Sequence, residues 1–166
     1  MGAGIHGGFG ATKGSVKLYK DIYAKSKEQN YTREQLINFL DGKTKQSSII
    51  ADKIRKGEIK ISVLGDKFFE DVFGVNKDVV GIAIDNKIYV RKNSNTIHSD
   101  IVHEGTHAVD YLSGLSYDKI SSWNGEIKAF TAEHHFQKAS GLKLQFDSEN
   151  EIKIHVMNNY KKKGRK

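Results

Sequence analysis

The sequence of 166 residues contains no cysteine and no proline. Without cysteine the chain has no disulfide, no thiol nucleophile and no thiolate metal site. Any metal ion would therefore be bound by histidine, aspartate or glutamate. Without proline, no prolyl isomerisation slows refolding, which would benefit a chain that unfolds to pass a narrow pore.

Long apolar runs are also missing. The sequence has no run of roughly eighteen apolar residues, so we expect no membrane-spanning helix. The N-terminus lacks the apolar stretch of a secretory signal, and we expect no export by the signal-peptide route. The length and composition favour one globular domain, which we place at 15–160. A glycine-rich flexible linker over 1–14 precedes it and a basic tail over 161–166 follows it.

The chain carries a net charge of +7. This charge favours solubility and weak attraction to anions, and it leaves open a nucleic-acid-binding module as an alternative. The basic residues are scattered along the chain except in the tail over 161–166. We therefore expect nucleic acid not to be the partner.

The apolar pattern of the N-terminal half predicts helices followed by strands. We expect a helix beginning near Ser15, a second helix with a capping box formed by Thr32 and Gln35, and a third helix over 46–56. Residues 58–64 alternate as a strand does.

The middle of the chain predicts a β-hairpin. Strands over 79–84 and 87–91 flank Asp85-Asn86, a pair that tolerates the positive φ of a tight turn. The segment 66–73 is apolar and does not distinguish a helix from a strand.

The C-terminal half is expected to be mainly helical. We predict a helix over 99–112, an irregular segment over 115–123, and a helix from the cap Asn124 to Ser140. A strand over 142–146 and a helix over 149–160 would complete the domain. These elements predict an α+β fold with a small, mostly antiparallel sheet.

Residues 103–107 have the sequence His-Glu-Gly-Thr-His, a motif typical of a zinc site. On a helix, His103 and His107 lie one turn apart on the same face, where two imidazoles bind one zinc ion. Glu104 then projects towards a metal-bound water and serves as general base. The alternative interpretation is a surface helix with two unrelated histidines. The amphipathic helix and the upstream hairpin favour the zinc site.

A catalytic zinc site needs a third protein ligand and an open position. We predict Glu126, which falls in the first turn of the next helix, where the helix N-terminus favours a carboxylate. Glu133, His134 and His135 are the competing candidates. Glu133 lies near the same face as Glu126, and it is also a candidate partner that orients a ligand imidazole.

Further candidates lie around this motif. Asp110 either orients a ligand or is solvated, and the sequence does not decide between the two. Tyr117, His134 and His155 are candidates for stabilising the oxyanion of a tetrahedral intermediate.

The sequence His103-Glu104-x-x-His107 followed by Glu126 resembles the zincin metallopeptidases of the gluzincin type. The pattern Glu126-x-x-Ala129 with Glu133 further on is also similar to small minimal zincins. These include the peptidases that cleave phage-type repressors and the metallopeptidase domains at the C-termini of bacterial polymorphic toxins.

This resemblance implies a minimal zincin-like domain with an active-site helix and a second ligand-bearing helix. It further implies a zinc-dependent endopeptidase whose protein substrate lies extended along the 79–91 hairpin. The glycine-rich start and the basic body are most similar to the toxin domains. For such a domain we expect delivery into a target cell by a specialised secretion system, and a cognate immunity protein as a partner. The alternative is a cytoplasmic regulatory peptidase with the same chemistry.

Overall fold

The computed structural model describes residues 5–6 and 32–160. The helix predicted near Ser15, most of the predicted linker over 1–14 and the basic tail over 161–166 lie outside the described residues. The described part has an α+β fold. Its helices are α1 Arg33–Leu40, α2 Lys45–Arg55, α3 Asp66–Phe73, α4 Ile97–Leu112, α5 Tyr117–Ile120, α6 Trp123–Ser140 and α7 Glu149–Asn159. Its strands are β1 Ile5–His6, β2 Lys60–Leu64, β3 Val79–Ile84 and β4 Lys87–Arg91.

The second and third helices predicted for the N-terminal half, which lie within the described residues, are confirmed. The hydroxyl of Thr32 accepts from the backbone N–H of Gln35, whose side chain accepts from the backbone N–H of Thr32. The ambiguous segment 66–73 is helix α3, which ends at Gly74 in the left-handed conformation (φ 62°). Helical spacing brings Phe69 and Phe73 together, and their rings lie 5.2 Å apart.

The sheet has the strand order β1-β3-β4-β2. The predicted hairpin is confirmed, since β3 and β4 pair antiparallel and Asp85 at the turn has a φ of 56°. The prediction of a mostly antiparallel sheet was wrong, because β2 pairs with β4 in parallel and β1 pairs with β3 in parallel. Between β2 and β4 the chain passes through α3 and β3, and this crossover lets the two strands run in the same direction.

Some boundaries in the C-terminal half also differ. Helix α4 begins at Ile97, two residues earlier than predicted, and the segment 115–123 contains the short helix α5. The N-cap of α6 is Ser122 and not Asn124, because the Ser122 hydroxyl accepts from the backbone N–H of Gly125 at 3.1 Å.

The predicted strand over 142–146 is irregular backbone. The backbone N–H of Leu142 donates to the carbonyl of Gln137, and that of Gln145 donates to the Gln137 side chain. Phe146 packs with Phe130 in a small apolar cluster. These two backbone N–H groups therefore donate to the end of α6 and not to a neighbouring strand.

Helix α4 lies at the centre of the fold. It packs against β3 and β4 on one side and against α6 on another, with α2 also in contact. Ile101, Val102 and Ala108 of α4 are buried in the main core. Because of this central position, residues 103–107 of α4 are shielded from bulk water. None of the helices in the described ranges has the length and apolar character needed to cross a membrane.

Candidate metal centre

Helices α4 and α6 bring three potential ligands to one point. The Nε2 atoms of His103 and His107 each lie 3.2 Å from Oε1 of Glu126. All three side chains are buried, with exposed fractions of 0%, 0% and 1%. Two turns of α4 and the first turn of α6 thus converge on one shared oxygen.

The spacing of this group is one that a metal ion such as zinc could occupy. One donor atom from each of the three residues lies within 4.8 Å of the others. Ligand atoms bound at about 2.1 Å in a tetrahedron are separated by about 3.4 Å. The observed 3.2 Å separations are close to that value. Two imidazoles and a carboxylate also form a donor set that catalytic zinc accepts.

The charge state of Glu126 suits a metal ligand. Burial alone would raise the pKa of its carboxyl, but the charges and hydrogen bonds of His107 and His103 outweigh burial and lower this pKa to about 2. The carboxylate is therefore ionised throughout the neutral pH range.

Glu133 lies behind the first histidine. Its Oε2 is 3.2 Å from Nδ1 of His103, and its side chain is 2% exposed. With a metal ion bound, Nδ1–H of His103 would donate to Glu133, which would fix the imidazole tautomer and leave the Nε2 lone pair for the metal. The structure thus places Glu133 beside a ligand and outside the group of three.

Glu104 lies on the side of α4 that faces the sheet. Its side chain is fully buried against β3, and its Cγ lies only 2.9 Å from the position that a Cβ on Gly81 would occupy. Any larger residue at position 81 would displace the Glu104 carboxylate. A glycine in a strand is here a site of close approach.

Asp110 is not solvated, and the structure pairs it with a lysine on α6. Its side chain is buried, and Oδ1 lies 2.5 Å from Nζ of Lys128 on α6. This ion pair joins α4 to α6 one turn beyond His107. Its position indicates a role in holding together the two helices that carry the candidate ligands.

The candidates for oxyanion stabilisation are not part of the ligand group. Tyr117 is on α5, with an exposed fraction of 53%. His155 packs its ring on Phe130 at 5.2 Å, and Phe130 in turn packs on His103 at 4.3 Å. One phenyl ring therefore separates His155 from His103.

His134 is also outside the group of three candidate ligands, although its side chain is buried, with an exposed fraction of 5%. Burial is the main cause that lowers its pKa from the ordinary value, and the charges of Lys138 and His135 add to the effect. A neutral imidazole at this position gives no charge to a developing oxyanion.

Comparison of the chain with protein-family models, with curated proteins and with solved structures finds no match. The candidate site therefore depends on the chemistry and geometry of the described residues.

Sequence reasoning missed three residues next to the site: Gly81, Lys128 and Phe130. A glycine inside a strand signals close approach by another group, so Gly81 could have been found. Lys128 and Phe130 belong to the helix of Glu126, but sequence alone does not show which side chains on α4 they meet.

Proposed function

We propose that this protein is a zinc-dependent endopeptidase of the gluzincin type. The observation that carries the proposal is the convergence of His103, His107 and Glu126 in a fully buried cluster, with Glu104 on the same helix. A surface helix with two unrelated histidines would not place both imidazoles on one buried carboxylate. The cluster also has the ligand types of a zinc site that keeps a position open for water.

The protein's own residues would prepare the ligands before any substrate arrives. With the metal bound, Glu133 would accept from Nδ1–H of His103, 3.2 Å away, so that the Nε2 lone pair is available to the metal. Glu126 is ionised because of its two imidazole neighbours. The ion pair between the buried Asp110 and the largely exposed Lys128 links the two helices that carry the candidate ligands.

When bound, zinc would polarise the scissile carbonyl and lower the pKa of the attacking water. Glu104 would accept a proton from the attacking water and donate it to the leaving amine. The burial of Glu104 against Gly81 limits its motion and keeps bulk water away from the carboxylate. The net reaction breaks the peptide C–N bond and adds water across it.

We further propose that the peptidase acts as a toxin-type effector, delivered by a specialised secretion system to cut a protein inside a target cell. The support for this role is the sequence: a glycine-rich N-terminus of the kind that joins domains, a basic body and the absence of proline. A cognate immunity protein would be its partner. Expression in a bacterial host tests the role, because the wild type should be toxic and Glu104→Gln harmless. Equal growth of both strains would favour the cytoplasmic regulatory peptidase.

The chemistry is tested by measuring metal content and turnover in the same variants. We expect about one zinc per chain in the wild type and in Glu104→Gln, and loss of zinc in His107→Ala and Glu126→Ala. Cleavage of quench-labelled casein should fall by about 100-fold to 10,000-fold in Glu104→Gln. Glu133→Gln should keep the fold and weaken zinc binding by about 10-fold to 100-fold.

Two results would contradict the proposal. Full zinc occupancy in both His107→Ala and Glu126→Ala would remove the ligand assignment. Undiminished cleavage in Glu104→Gln would remove the general base. Salt-dependent binding of DNA without any bound zinc would instead support the basic binding module.

A further inference from the structure

The outer edge of β3 passes beside the candidate centre. One side of β3 pairs with β4, and the opposite side pairs with β1, where Ile5 is opposite Val79 and His6 is opposite Gly81. Gly81 is also the residue against which the Glu104 carboxylate packs. A segment paired with β3 at this point therefore lies next to the proposed general base.

Strand β1 contacts a second element as well. It lies against α4, the helix that carries His103, Glu104 and His107. The backbone of Ile5–His6 thus occupies the place where the sheet edge meets the ligand-bearing helix. In the folded chain all three of those side chains are fully buried. A protein substrate has to reach these atoms, so this arrangement describes a closed site.

An exposed strand edge recognises extended peptides through main-chain hydrogen bonds, with little dependence on sequence. The edge of β3 beside Glu104 can recognise an extended peptide in this way. It would hold the main chain of a bound peptide beside Glu104, the proposed general base. The same edge is filled here by a segment of the chain itself.

We propose that Ile5–His6 occupies the substrate-binding edge in cis and holds the peptidase in a latent state, an inference that rests on the proposed function. A tethered segment competes at an effective concentration of roughly millimolar, so a free peptide is at a disadvantage. The strand has only two residues, and glycines precede and follow it at positions 4 and 7. So short a strand forms few hydrogen bonds, and a peptide of several residues can displace it. Release of β1 from β3 would activate the enzyme.

The test uses the full-length chain with both strand residues replaced, Ile5→Pro with His6→Pro. Proline has no N–H to donate to a ladder and disfavours strand pairing. Ile5→Val is the matched control, since valine retains the strand preference. His6→Pro alone is the second variant, for use if the double variant does not fold. Circular dichroism and intact mass establish folding and exclude self-cleavage.

Two readouts are compared among these variants. Hydrogen–deuterium exchange of the peptide covering 79–84 in metal-free protein should be faster in the proline variants and unchanged in Ile5→Val. With zinc bound, kcat/KM on quench-labelled casein should rise by at least about tenfold, mainly through a lower KM. Faster exchange together with a higher kcat/KM would establish that Ile5–His6 occupies the substrate-binding edge.

The results that would overturn the latency proposal differ from those that would overturn the proposed function. If the wild type cleaves casein and the proline variants cleave it no faster, the latency proposal is overturned while the proposed function stands. If exchange over 79–84 does not change, β1 does not protect this edge and the proposal is overturned on structural grounds. If no variant cleaves casein although zinc is bound, the peptidase function fails and the latency proposal fails with it.

Discussion

At the scale of single residues, the contact between Gly81 and Glu104 makes a sharp prediction. A methyl group at position 81 would lie 2.9 Å from Cγ and 3.0 Å from Oε1 of Glu104. Gly81→Ala should therefore displace the carboxylate and lower kcat on the order of 100-fold. Zinc content should be unchanged, because Gly81 lies on the sheet and not among the ligands. Turnover and elemental analysis of the same preparation check both parts.

A matched control exists for this substitution. Gly65 has no atom within 4 Å of its would-be Cβ and a φ of −62°, which alanine adopts freely. Gly65→Ala should thus leave turnover unchanged. Wild-type turnover in Gly81→Ala would contradict the placement of Glu104 as general base.

How much of the site could be predicted from the sequence also differs by residue. The spacing of His103 and His107 fixes a shared helical face, and Glu126 in a first turn is a sensible partner. The pairing of Asp110 with Lys128 could not be predicted, because it depends on how α6 is rotated against α4. Periodicity shows which face of a helix is apolar and does not show which polar side chains meet across helices.

At the scale of secondary-structure elements, the N-cap of α6 should influence the metal centre. The Ser122 hydroxyl accepts from Gly125 N–H, and Glu126 is the next residue. Ser122→Ala should cost about 0.5–2 kcal/mol of stability and loosen the turn that holds Glu126, so zinc affinity should fall. Chemical denaturation and zinc titration with a chromophoric competitor measure the two effects.

Ser148 provides the comparison, since it caps α7 by accepting from the backbone N–H of Glu151 at 3.3 Å. No predicted ligand lies on α7. Ser148→Ala should lower stability to a similar extent and leave zinc affinity unchanged. Equal zinc affinities in the two variants would mean that the α6 cap does not position Glu126.

The elements themselves were predictable where local chemistry decides them. The capping box at Thr32 and the hairpin turn at Asp85 are local signals, and both are present. Strand direction is not local, because an alternating pattern is the same in parallel and antiparallel pairs. Near α6, Ser122 and Asn124 are both good capping residues, and only the backbone geometry selects Ser122.

At the scale of the whole molecule, zinc should stabilise the native state, because the unfolded chain does not hold the three ligands together. A free zinc concentration about 100 times Kd adds about 2.7 kcal/mol, which for a domain of this size raises Tm by about 5–10 °C. Differential scanning fluorimetry measures the shift. His107→Ala should show none. A shift of the same size with magnesium would indicate general cation binding at the surface.

The pairing of β1 with β3 has a consequence for the order of events during folding. His107 and Glu126 are 19 residues apart, whereas the paired residues Ile5 and Val79 are 74 residues apart. Closing a longer loop costs more entropy, and contacts distant in sequence form more slowly. We therefore expect the ligand cluster to assemble before the first strand docks. A freshly refolded molecule would pass through a short-lived open form, and its activity would rise in a burst and then decay as that strand closes the edge.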